Sequence, residues 1–403
     1  MITEDHHRTS TDRGTTSGTT SGWATVALVR VALVSPVFPP ARGGVETVVE
    51  KLASGLPSLG VEVDVITHRP NNRSLQSLQD RSPAPFRVHR YRSFSVRGMK
   101  SFSPELFLAI RRRQEEYDIV HVHDIHSTPS LAVGMFCRGP VVLSPYYHGI
   151  NDSTFTRAFN RAYQPALRKL LGNVRAVTCN SAAEARLFTK DFPNLASRVR
   201  FIHLAPDPRI MPERADQLPE VPIMLIISRL VGYKQVDLVL RSIPILETRV
   251  QLIVLGEGPE RAHLATLANE IHKNGSTVSF VGEASDWVRR EWLSRADVLI
   301  SMSTRESFGL SVVDALAAGA RVCVSNIPAH AEIRDMAPSN VRLIEADASP
   351  ADLANVLEDV LRERGIKTQI PDLPSWGAFL RSTKQCYDDV LRSSLHISPS
   401  GQN

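Results

Sequence analysis

Aliphatic runs of four to seven residues recur along this chain, separated by helix-length segments in which apolar residues return every three or four positions. Residues 24–37 form the first such run, ending in VALVSPVFPP, and Ala41, Arg42, Gly43 and Gly44 follow. Beyond the glycines, Val45, Val48, Val49, Leu52 and Leu56 lie on one helical face. Strand, glycine loop and helix form the unit that places a ligand at the carboxyl end of a parallel strand. The same reading predicts strands over 61–67, 87–91, 119–123, 141–144, 176–179 and 200–203. A second series follows, with strands at 223–228, 251–255, 278–281, 298–301 and 321–325 and helices at 236–243, 261–273, 287–296 and 349–364. Strands alternating with helices argue an α/β fold built as two doubly wound parallel sheets.

Length agrees with two units, because 403 residues exceed what one core usually organises. A proline- and charge-rich join at 205–222 separates them. We expect a disordered Thr/Ser/Gly tail at 1–22, a first domain at 23–206, a second at 207–370 and a short tail at 396–403. The stretch 371–395 holds Trp376, Phe379, Leu380, Tyr387 and Val390 at helical spacing. It is either a helix returning to the first domain or a plain last helix on the second.

Charge divides the two halves. Residues 27–206 carry 24 basic and 13 acidic residues, a net of +11, whereas 207–370 carry 18 and 23, a net of −5. Residues 81–113, from Arg81 to Arg113, alone hold nine basic residues and one acid. No apolar run is long enough to span a bilayer and no signal-peptide pattern opens the chain, so the expected location is cytoplasmic. The four cysteines are far apart and lack metal-type spacing, which predicts reduced core residues.

The chemistry concentrates in SMSTRESFGLSVVDALAAG, residues 301–319. Glu306, Phe308 and Gly309 lead into an apolar helix opened by Leu310 and closed by Gly319. A helix beginning at a glycine offers unpaired N–H groups and a positive dipole end, which suit a diphosphate. Glu306 then lies beside the phosphates, and Asp314, about a turn and a half inside the helix, is expected to accept from sugar hydroxyls. Arg229 and Lys234 follow a strand directly, and two cations on such a turn can grip a diphosphate. Gly256, Gly258 and Pro259 end another strand, where bare backbone would admit a base or ribose. His148, between Tyr147 and Gly149, is placed to meet a sugar hydroxyl. His121 and His123 share one strand face while His126 lies beyond it, so no metal is expected there.

Gly43 with Gly44, His148, Arg229 with Lys234, GEGP at 256–259 and ESFGLSVVDALAAG at 306–319 follow the order and approximate spacing of the retaining GT-B glycosyltransferases of family 4, which the chain resembles over about residues 27–392. The resemblance implies two Rossmann-like domains facing across a cleft, a nucleotide diphosphate sugar as donor and no metal cofactor. It implies that Arg229 and Lys234 bind the diphosphate and that Glu306 binds the sugar beside the Phe308 and Gly309 amides. It further implies that Asp314, where the family has glutamate, binds the ribose, that Gly43 and Gly44 approach from the first domain, and that His148 faces the transferred sugar. A hexosyltransferase acting on a glycan or glycolipid is the resulting expectation. A nucleotide-sugar 2-epimerase and a non-catalytic nucleotide-sugar binder share the layout. The basic segment 81–113, with Leu106, Phe107 and Ile110 beside Arg111, Arg112 and Arg113, is either an anionic-membrane contact or a solvated face with one buried stripe. It has few interleaved aromatics, so no nucleic-acid partner is expected.

Overall fold

The computed structural model describes residues 28–69, 85–94, 101–149, 154–210, 219–270, 275–364 and 371–395. The expected tails at 1–22 and 396–403, and residues 81–84 and 95–100 of the basic segment, lie outside them.

The first half runs β1 (Val29–Ser35), α1 (Gly44–Gly55), β2 (Val61–His68), β3 (Arg87–Tyr91), α2 (Pro104–Arg113), β4 (Ile119–His123), α3 (Thr128–Phe136), β5 (Val141–Ser144), α4 (Thr154–Asn173), β6 (Val174–Cys179), α5 (Ala182–Asp191) and β7 (Val199–Phe201). All neighbouring strands pair parallel, in the order β3-β2-β1-β4-β5-β6-β7. The second half contains β8 (Ile223–Ile227), α6 (Val236–Ser242), β9 (Gln251–Leu255), α7 (Arg261–Asn269), β10 (Thr277–Gly282), α8 (Asp286–Arg295), β11 (Val298–Ser301), α9 (Leu310–Ala317), β12 (Arg321–Ser325), α10 (Pro328–Met336), β13 (Val341–Ile344) and α11 (Pro350–Arg362). Its sheet is also parallel, in the order β10-β9-β8-β11-β12-β13. The fold is thus two doubly wound α/β units of GT-B type. Strands β8 (IMLII) and β9 (QLIVL) are buried at all but one position, which is why they read as near-continuous aliphatic runs.

Strand order reverses beside β1 and again beside β8, and the loops leaving these two strands carry Gly43 and Arg229. Ligands of doubly wound sheets bind at such reversal points. Strand β13, helix α10 and the 20-residue α4, which contains Pro165, are additions to the elements expected from the sequence. Two positions of β13 are only half-buried, so its apolar signal is weak.

Two connections cross between the halves. In the first, Leu204, Ala205 and Ile210 join one apolar cluster that runs from α1 into α9. Beside them the buried Asp207 meets Lys51 at 3.8 Å, Arg209 at 2.8 Å, Arg289 at 3.3 Å and Arg290 at 3.7 Å. The second is α12 (Trp376–Leu395), which returns to the first sheet: the Tyr387 hydroxyl lies 2.7 Å from His121 Nδ1, and Leu380 packs on Gly55. His121 also meets Ser144 Oγ at 2.8 Å and His123 meets Tyr146 at 3.1 Å, so both imidazoles serve the core. Burial pushes His121 down to about 3 and His123 well below its ordinary value, keeping both neutral. All four cysteines are buried and free, and burial raises their thiols, to about 11 at Cys137 and Cys386 and about 12 at Cys323. Among the described residues no helix is long and apolar enough to cross a membrane.

Burial opposes ionisation of Asp207, yet the bonds from Arg209 outweigh it and hold the carboxyl down to about 2. A carboxyl held below its usual value favours the fold at every pH above that value. It ceases to do so as pH falls from 3.8 through about 2. Asp207→Asn should therefore lower unfolding stability by about 1–2 kcal/mol at neutral pH. Urea titrations at descending pH should show the difference closing between pH 4 and 2.

Candidate functional site

Gly256, at φ 137°, lies so close to the Ser228 carbonyl that a Cβ there would overlap it, and Gly258 stands in the same relation to the Leu230 carbonyl. The Leu230 N–H bonds the Glu257 carbonyl at 2.9 Å and the Glu260 N–H bonds the Leu230 carbonyl at 3.1 Å. On sequence grounds these glycines, with Pro259, are expected to meet a base or ribose. In the structure the backbone they admit is that of the neighbouring loop. Their effect is to fix Ser228, Arg229 and Leu230 at the end of β8.

From there a single 3-10 turn, Gly232–Lys234, leads to Gln235 at φ 49° and into α6. The turn presents Lys234 to Glu306, and the two form an ion pair with side chains only 14% and 18% exposed. The Thr304 N–H bonds the Tyr233 carbonyl at 2.9 Å, so the turn and the loop after β11 are joined through backbone as well. Phe308 is buried and anchors that loop. Gly309 follows at φ 106° and opens α9, beginning at Leu310, with no side chain capping the helix N-terminus. A Cβ at Gly309 would stand 3.2 Å from Ile333 Cδ1 and 3.5 Å from His330 Cδ2, so glycine is required by space as well as by conformation. The ion pair thus brings together the cation-bearing and acid-bearing loops, whose charged residues stand 72 positions apart along the chain.

Opposite lies the first domain. Gly43 and Gly44 lead into α1, which has no side-chain cap, and Arg42 bonds the Ala284 carbonyl and lies 3.7 Å from Asp286 of the other half. Glu46 sits over Gly43; burial raises its pKa while a backbone hydrogen bond and the positive charge of the exposed Arg229 pull it back. His148 is exposed, its Nδ1 3.2 Å from the Tyr146 carbonyl, and its ring faces Tyr233 at 6.4 Å and 26°. Tyr233, which also lies under the Arg305 guanidinium at 4.8 Å, belongs to the site although its position inside SRLVGYK gives no sign of it. His330 likewise carries no signal in the sequence. It is fully buried behind Gly309, with Nδ1 3.0 Å from the Ser325 carbonyl, and burial lowers its pKa, keeping it neutral.

Asp314 requires a correction. It has no exposed surface; one carboxylate oxygen accepts the Asp207 N–H at 2.8 Å and the other pairs with Arg289. From there it cannot present a carboxylate to a ribose in this arrangement. It ties α9 to the crossing segment instead. Burial raises its pKa against the pull of Arg289 and of the Asp207 N–H.

Gly256→Ala should cost about 2–4 kcal/mol in urea unfolding, through positive-φ strain and overlap with Ser228. Gly44→Ala, where no atom lies within 4 Å of the new methyl, should stay near wild type.

Two family models match the chain: Glycosyltransferase Family 4 over residues 42–209 and Glycosyl transferases group 1 over residues 221–363. A phosphatidyl-myo-inositol mannosyltransferase of Mycobacterium leprae is 25% identical, covering 92% of this chain and 99% of its own. One subunit of the phosphatidylinositol N-acetylglucosaminyltransferase of Arabidopsis thaliana is 24% identical, over 91% of this chain and 83% of its own. Among solved structures, sucrose-phosphate synthase from Thermosynechococcus elongatus superposes with a TM-score of 0.72 at 19% identity, covering 91% of this chain and all of that one. Anabaena Alr3699/HepE in complex with UDP-glucose superposes at 0.66 and 15% identity, covering 91% of this chain and 100% of that one. With both sheets parallel, both loops facing one cleft and both halves matched, the chain belongs to the GT-B glycosyltransferases, pairing a family 4 first domain with a group 1 second domain.

Proposed function

We propose that this glycosyltransferase moves a hexose from a nucleotide diphosphate sugar to a glycolipid-type acceptor, with retention at the anomeric carbon. The observation that carries the reading is the Lys234–Glu306 pair beside the uncapped N-terminus of α9. It sets a cation, a helix dipole and a hydroxyl-accepting acid around one point, with Arg229 on the adjoining loop. Departure of a nucleoside diphosphate leaves concentrated negative charge, and fixed positive groups lower that barrier because they need no reorganisation. Arg229 grips by its fork and Lys234 acts as a point charge, so the chemistry needs no metal. As Lys234 turns to phosphate, Glu306 is freed to accept from the sugar hydroxyls, while His148 and the Gly43–Gly44 backbone cover the sugar from the first domain. UDP-glucose in the HepE structure supports the donor class, and the inositol-lipid names of the relatives support the acceptor class.

A thermal-shift screen of UDP, GDP, ADP and their sugars should identify one base. Arg229→Gln with Lys234→Gln should then weaken that nucleotide by on the order of 100-fold, since two charge-assisted contacts go together. Transfer should persist in EDTA. An unchanged shift in the double variant overturns the diphosphate site.

The acceptor reading includes an anionic membrane surface. Of the two readings of the basic segment, the apolar stripe follows the buried one: Leu106 and Ile110 are buried. Part of the charge is also compensated, Arg87 pairing with Glu62 and Asp64, and Arg113 with Glu116. What remains outside are Phe94, Leu108 and Met135, all more than 40% exposed, together with the exposed Arg111 and Arg112. Vesicles containing anionic lipid should retain the protein at low salt, and Arg111→Glu with Arg112→Glu should release it. Equal retention on neutral vesicles removes the charge argument.

A further inference from the structure

Helix α5 of the first domain is finished at its N-terminus by a residue of the second. Glu332, on α10, accepts the Ala182 N–H at 2.9 Å with one carboxylate oxygen and the Ala183 N–H at 2.9 Å with the other. The preceding residue, Ser181, donates its hydroxyl to the Ser307 carbonyl at 2.6 Å, on the peptide joining Ser307 to Phe308. The same hydroxyl accepts the Glu184 N–H at 2.9 Å. Glu184 in turn receives the N–H groups of Tyr147 at 2.6 Å and Asn180 at 2.7 Å, and so holds the backbone next to His148.

One helix end therefore carries contacts to both sides of the cleft: to the loop of Glu306 and Gly309, and to the loop of His148. Among the described residues Glu332 forms no ion pair with a lysine or arginine, and His203, though the Glu332 charge pulls it toward protonation, is held toward the neutral form by burial. The positive N-terminus of α5 is what answers its charge. That answer exists only while the two domains face each other. Ordinary packing of two helices needs no carboxylate bridging consecutive amides, and α5 already has its own cap in Ser181.

We propose that Glu332 is a positioning residue, which registers the donor loop against His148 by closing the N-terminus of α5 across the cleft. The inference rests on the reading of this cleft as the transfer site. It assigns no contact between Glu332 and either substrate.

The test compares wild type with Glu332→Gln and Ser181→Ala in the full chain. Gln keeps the shape of the side chain but loses the charge and one of the two acceptors. Small-angle scattering with added UDP, GDP or ADP should show a larger radius of gyration in both variants. With the nucleotide sugar identified by the thermal-shift screen, kcat should fall by on the order of tenfold. Nucleotide affinity should stay within about twofold of wild type, because Arg229 and Lys234 are untouched. Glu332→Asp, which keeps the charge, should recover part of kcat. Wild-type scattering and kcat in Glu332→Gln overturn the proposal, and so does a parallel fall in kcat, nucleotide affinity and thermal midpoint, which marks a general structural loss. If wild type binds none of the nucleotides, the transfer reading fails on its own, while the scattering comparison still decides whether Glu332 holds the two domains together.

Discussion

The ion pair between Lys234 and Glu306 governs what the cleft can do. Both side chains are largely withdrawn from water, so removal of either leaves the other charge uncompensated. Their union also determines the spacing of everything nearby: the turn after β8 is drawn to the loop after β11, and the open end of α9 comes to stand beside both. Such a pair suits an anion site that also receives hydroxyls. A phosphate can take over the ammonium's attention, and the carboxylate so released is already at hand for a sugar ring. Neither group alone offers this exchange.

Much of that arrangement is legible in the residues. Parallel strands buried on both faces, such as β8 and β9, appear as near-continuous aliphatic runs, and the glycines at 43, 44, 256, 258 and 309 mark where strands give way to loops. The order of these loops points to two doubly wound sheets, and Lys234 meets Glu306 three residues before Gly309. Family membership then favours transfer over the epimerase and binding-protein readings. Other parts have no sequence signal. Tyr233 joins the site because a 3-10 turn tips it toward His148, and Glu332 matters only through a helix of the other domain. Spacing along one chain says nothing about such partners.

The departures from expectation share one physical cause. Asp314 lies on α9 near the expected ligand by helical spacing, yet that spacing does not say which face of the helix is covered; the crossing segment brings the Asp207 N–H group to this one and α8 brings Arg289. Gly256 and Gly258 are indeed places of close backbone approach. What approaches them is the carbonyl of the adjacent loop. For Leu106 and Ile110, where the residues left two readings open, the apolar face packs on the core and the arginines stay outside. In each case the local pattern is sound and the competitor for it comes from elsewhere in the chain.

The return of α12 bears on how the polypeptide is made. Tyr387 lies 266 positions after His121, so the first sheet emerges from a ribosome long before the helix that completes its buried polar contacts. During that interval the whole second domain must be synthesised while Trp376, Phe379 and Tyr387 have yet to cover their places. The earlier half is born incomplete and waits, with apolar surface open to misassociation, until the last stretch of the nascent chain arrives.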